Sequence, residues 1–124
     1  MAKRFFLICA LIGSLLPSAV AQTATPPYHA QMARLAEVLG GLHYIRPLCG
    51  YDEAAKWRNR MVELLQAEKP DSLREVDMIE HFNRSYETLK ATHASCTAAT
   101  RAIMEDYLQE GAELAASTRA RFAE

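Results

Sequence analysis

The sequence is short of what a β-sheet protein uses. Four valines, five isoleucines and five glycines in 124 residues supply few β-branched runs and few tight turns, which argues against an all-β domain. No stretch reaches the roughly 18 consecutive apolar residues that a membrane-spanning helix needs. Basic runs are missing too. Lys and Arg number 14 against 15 Asp and Glu, for a formal net charge of −1. Without clustered cations to neutralise phosphates, nucleic acid is not expected as a partner. What remains is a chain 50% hydrophobic and 23% charged, of a length that allows one globular domain, expected to be helical.

The first 21 residues divide into a basic pair, Lys3 and Arg4, an apolar run from Phe5 to Leu16, a break at Pro17, and Ala19-Val20-Ala21 before Gln22. This is the anatomy of a secretory signal peptide, with cleavage expected after Ala21 and a periplasmic destination. The expected organisation is therefore a leader at 1–21 and a single domain at 22–124. Cys9 lies inside the apolar run and not in a lipobox behind it, so it would leave with the leader. The remaining chain has 12 basic and 15 acidic side chains, a formal charge of −3. Its two cysteines, Cys49 and Cys96, would reach an oxidising compartment, where one disulfide is the economical outcome. Two free thiols or an intermolecular link are the alternatives. Zinc is not expected, because two isolated cysteines without C-x-x-C or H-x-x-x-H spacing do not supply four convergent ligands.

Between Pro26-Pro27, Pro47 with Gly50, and Pro70 the chain reads as helix. From Tyr28 to Arg46, the positions Met32, Leu35, Leu39, Leu42 and Ile45 fall on one face at helical period, with Pro47 as the stop. Gly40-Gly41 within this helix costs propensity on the order of 1 kcal/mol per glycine, for which a kink or a close helix crossing is the usual reason. A second helix is expected from an Asp52 N-cap to Glu68, with Trp57, Met61, Leu64 and Leu65 inward. Ser72-Leu73-Arg74-Glu75 has capping-box form and opens a third. Its inward stripe reads Leu73, Val76, Ile79, Phe82, Tyr86, Leu89 and His93. A fourth follows Thr97, with Ile103, Tyr107, Gly111 and Leu114 aligned. The fold expected is all-α, an up-down-up-down four-helix bundle. Its first and third connections lie at one end, which brings Cys49 and Cys96 within the roughly 7 Å that a disulfide requires and favours a turn over one continuous helix between Thr92 and Thr97.

The run Leu35-Ala36-Glu37-Val38-Leu39-Gly40-Gly41-Leu42-His43-Tyr44-Ile45-Arg46-Pro47-Leu48-Cys49 resembles the opening of an uncharacterised family of short exported proteins from alphaproteobacteria. Trp57, Met61-x-x-Leu64-Leu65, Phe82-Asn83 with Tyr86, Cys96-Thr97 and Glu110-Gly111 extend the resemblance over nearly all of the chain behind the leader. The sequence departs from that family at Ser85, where a glycine is usual, and at His93, where an aromatic is usual. The resemblance implies export and a disulfide, and no activity.

Catalytic constellations are not evident. None of His29, His43, His81 and His93 has a glutamate three residues before it, as di-iron bundles require. Asp77 and His81 share a helix face at i, i+4, which reads as a surface pair and not as a metal site. There is no C-x-x-C-H for haem and no G-x-S-x-G elbow. The carboxylates at Glu105, Asp106, Glu110 and Glu113 suit a solvated face. No enzyme activity, metal or cofactor is expected. Binding has better candidates: Tyr44, Arg46, Tyr51 and Trp57, aromatic and arginine types common in hot spots, gather toward the disulfide end. A second candidate patch pairs Asn83 with Glu110, near Arg34 and Glu37, where a polar layer that fixes helix register is the plainer reading. Arg46→Glu and Tyr51→Ala are expected to spare stability. The function expected is a periplasmic binding or adaptor module for an envelope protein or a cell-wall component; the alternative is an acid-stress chaperone.

Overall fold

Ten of the twenty residues of α1, His29–Leu48, are buried, and they lie on nearly every side of the helix: Met32, Ala33, Leu35, Ala36, Val38, Leu39, Gly40, Gly41, Leu42 and Ile45. A helix apolar all round belongs at the centre of a domain. In the computed structural model, which describes residues 25–123, α1 has that place. The helices α2 (Ala54–Glu68), α3 (Ser72–Thr92) and α4 (Ala98–Ala123) each pack against α1 far more than against one another. The fold is an all-α helical bundle, with no strand among the described residues. None of the helices is long and apolar enough to cross a membrane. The leader expected at 1–21 lies outside the described residues.

The α1–α3 crossing depends on Gly40. A Cβ there would run into the Phe82 backbone carbonyl, and one on Gly41 would meet the Tyr107 ring. The glycine pair therefore marks a close crossing: Gly40 admits the α3 backbone and Gly41 admits an α4 side chain. Contacts along α1 and α3 rise together, from His29 with Asp77 to Tyr44 with His93. Along α4 they fall, from Arg46 with Met104 to Met32 with Thr118. Cys49 and Cys96 form an intramolecular disulfide with Cα atoms 5.1 Å apart.

Several helix ends differ from expectation. Pro47 does not stop α1 but sits in its last turn, where the amide it lacks costs a single hydrogen bond; Cys49 N then donates to Ile45 O at 3.0 Å. α2 is preceded by Glu53 and not capped by Asp52, and no side chain caps it, because the Glu53 carboxylate is turned to Arg46. Asp71 replaces the Ser72 and Glu75 box at the start of α3: extended after Pro70, it accepts from Arg74 N at 3.0 Å. α3 and α4 are separate helices, and Thr97 Oγ1 accepts from Thr100 N at 3.2 Å at the start of α4.

The stripe expected on α3 holds only in part. Its buried line is Met78, Phe82, Ser85 and Leu89. Leu73, Val76 and Ile79 face solvent, Leu73 with 84% of its surface exposed. Packing against the crowded middle of α1 sets the rotation of α3, and Leu73, Val76 and Ile79 are left on the outside.

Candidate functional site

The disulfide end draws three of the expected residues into structural work. Arg46, in the last turn of α1, binds Glu53 through two parallel hydrogen bonds, Nε to Oε2 and Nη2 to Oε1, each 2.8 Å. Its guanidinium carbon lies 3.6 Å from the centre of the Tyr51 ring. The Arg46 hydrogen bonds hold the Glu53 carboxyl below its ordinary value of 4.5, and Lys56 adds to this. Tyr44 donates its hydroxyl to the His93 carbonyl and meets the Tyr86 ring edge-on at 5.5 Å, tying α1 to the end of α3. Tyr51 is exposed. The expectation that Arg46→Glu would spare stability is corrected by this geometry: the substitution would set two carboxylates against each other where a fork now joins α1 to α2.

The polar layer forms without one of its expected members. Arg34 on α1 reaches Glu110 on α4 through Nε at 2.7 Å and Nη2 at 2.8 Å, and Glu37 through Nη1 at 2.7 Å. These bonds to Arg34 hold Glu110 below its ordinary 4.5, against a smaller opposing effect of burial. From Glu37 the polar contacts continue to His81 at 3.7 Å, from His81 to Asp77 at 3.7 Å, and from Asp77 to His29 at 2.7 Å. Asn83 lies exposed on α3 and takes no part. The groups make a line along the α1–α3 seam and not a convergent shell; among the described residues no group of three His, Cys, Asp or Glu is placed to hold a metal.

Trp57, the remaining expected residue, leads to a feature the sequence reading missed. Because α2 and α4 pack on α1 but scarcely on each other, they leave a groove of about 500 Å³. Its floor is Leu35, Leu39 and Leu42 of α1. Trp57 and Leu64 form one wall, and Leu108, Ala112 and Ala115 the other. Lys56, Arg60, Glu63 and Arg119 stand around it. Beyond the groove the buried Glu68 carboxylate joins the two helices, accepting from Arg121 Nη2 at 2.9 Å. Trp57 is 9% exposed. The available signal was composition. α1 is apolar all round and needs cover on every face, while α4 turns small alanines toward it where larger side chains would have filled the space.

Fold and site together define a disulfide-clipped helical bundle with an open apolar groove and a largely basic rim. The chain belongs to the family described as "Protein of unknown function (DUF2385)", whose model matches residues 27–122. No curated protein and no solved structure matches it.

Proposed function

We propose that the chain is a small binding or adaptor module of the cell envelope and not an enzyme, its partner being an envelope protein or a cell-wall component. Export behind a leader cleaved after Ala21, a periplasmic location and an up-down-up-down course of the four helices belong to this reading. The observation that carries it is the α2–α4 groove: a concave apolar surface with charged groups at its edge is the usual form of a binding site, and Trp57 is its aromatic wall. The test is capture from the envelope fraction with the tagged protein and its Ala112→Phe variant side by side. Ala112 is exposed in the groove wall, so a ring there fills the groove without entering the core. A partner retained by the parent and lost from the variant supports the reading. Equal capture by both refutes the groove as the site. Intact mass of the periplasmic protein tests the leader, with Gln22 expected at the N-terminus.

The acid-chaperone reading rests on a different surface. Leu73, Val76 and Ile79 are exposed on α3, and the Arg34–Glu110 pair that joins α1 to α4 is one that acid discharges. Suppression of client aggregation at pH 3 but not at pH 7 would favour it.

A further inference from the structure

α1 carries a second cavity, between α3 and α4, and its lining is polar where that of the groove is apolar. The two helices pack on α1 and scarcely on each other, leaving a space of about 180 Å³. His81, Arg84, Ser85 and Thr88 line it from α3, at spacings of three and four that share one helix face. Glu37 of α1 and Tyr107 of α4 complete it, with Leu89 as its apolar member.

Most charges around this space are already engaged. Arg34 binds Glu110 through two hydrogen bonds and Glu37 Oε1 through a third, at 2.7 Å. Asp77 is held by His29 at 2.7 Å. Other groups in the lining are open. Arg84 is exposed and has neither a carboxylate nor a hydrogen-bond partner among the described residues. Glu37 Oε2 lies 3.7 Å from His81 Nδ1, too far for a hydrogen bond. Ser85 is 8% exposed, and its hydroxyl has no hydrogen-bond partner among the described residues. Buried hydroxyls are ordinarily hydrogen-bonded, so one left open on a cavity wall marks a place for a polar atom of a guest.

These open groups call for a guest with both charges. A free guanidinium takes a carboxylate, an open carboxylate oxygen takes an ammonium, and a hydroxyl can donate to the first or accept from the second. A plain anion would set its charge beside Glu37, and a plain cation would set its charge beside Arg84. We propose that this cavity binds a free α-amino acid, its carboxylate on Arg84, its ammonium on Glu37 Oε2, and the Ser85 hydroxyl bonded to one of them. A peptide terminus carries only one of the two charges at its α-carbon and leaves the other group unanswered. The site is independent of the α2–α4 groove.

The probes are glycine, L-alanine and L-leucine, titrated separately into the purified protein and followed by amide chemical shifts. At least one should give saturable shifts at residues 81–89, Glu37 and Tyr107. For the amino acid that binds, the amide, which lacks the carboxylate, and the N-acetyl form, which lacks the ammonium, should each bind about tenfold more weakly. Arg84→Gln should weaken the amino acid by roughly threefold to tenfold and leave the binding of its amide unchanged. Because Arg84 is exposed and unpaired, that variant should keep the parent's circular dichroism. Ser85→Ala should weaken binding by about threefold, and Ala112→Phe in the groove should leave it unaltered. Absence of saturable shifts with all three probes, equal binding of the amide or the N-acetyl form, or indifference to Arg84→Gln would each overturn the proposal. So would shifts that gather in the groove and vanish in Ala112→Phe. None of these results bears on capture of an envelope partner, which tests the groove separately.

Discussion

The two flanks of α1 are built from similar residues and end differently. Toward α3, glycine meets backbone: Gly40 lets the Phe82 carbonyl approach. His43 lies 5.6 Å from the Phe82 ring and 5.3 Å from the Tyr86 ring, and the disulfide pins the end. Toward α2 and α4, small residues face a gap. Ala112 and Ala115 border the groove, and an ion pair joins these two helices at Glu68 and Arg121. A small residue closes a seam only when another backbone arrives to use the space; where none arrives, the same economy of side chain leaves a groove.

The α3 flank should be the more sensitive of the two. Replacing both Cys49 and Cys96 by serine should cost most, about 4 kcal/mol from chain-entropy arithmetic for a loop of this length, read as a lowered denaturant midpoint. Gly40→Ala should come next. The new Cβ meets backbone that cannot rotate away, and an overpacking cost of about 2 kcal/mol should outweigh the gain in helix propensity of about 1 kcal/mol or less. If Gly40→Ala proves neutral, the close crossing is wrong. Arg46→Glu should lower the melting temperature by less than Gly40→Ala does, and the charge swap with Glu53→Arg should recover part of the loss.

Acid should act through the paired carboxylates. Glu110 and Glu53 are held below their ordinary 4.5 by Arg34 and Arg46. Each therefore adds stability that is complete above about pH 4.5 and is lost as pH falls through the lowered folded value. Arg34→Met should flatten that acid loss. The effect should stay under about 1 kcal/mol because the Arg34–Glu110 pair is over a third exposed and screened by water. Smallest of all, Ala112→Phe and Arg119→Glu should move stability by no more than about 0.5 kcal/mol, as surface changes do. A large loss from Ala112→Phe would mean that the groove is packed core.

Helix content was legible from period and punctuation, and so was the disulfide, because Cys49 and Cys96 close adjacent ends. Gly40-Gly41 announced a close approach through its cost alone. The rotation of α3 was not legible. Leu73, Val76 and Ile79 follow the helical period as well as Met78, Phe82 and Ser85 do, and only the neighbour they meet decides between the two lines. Helix starts misled for a similar reason: Asp52 and Ser72 are good caps by residue type, but Glu53 answers to Arg46 and Asp71 follows Pro70. Among the site residues, Tyr44 and Arg46 had the right chemistry for recognition, but His93 and Glu53 already use it. Glu110 is in the polar layer because Arg34 reaches it from α1, while Asn83 is exposed on α3 and outside it. The groove depends on a helix pair that fails to meet, which no single segment encodes.

On the proposed reading a partner docks on the α2–α4 flank of α1 and not on the α3 flank. Amide chemical shifts recorded while the captured envelope partner is titrated in test it most directly. Shifts confined to residues 56–67, 108–119 and the α1 floor at Leu35, Leu39 and Leu42, with Phe82 to Leu89 unmoved, are the predicted result. Shifts gathered on α3 or at the disulfide end, with the groove residues silent, would contradict it.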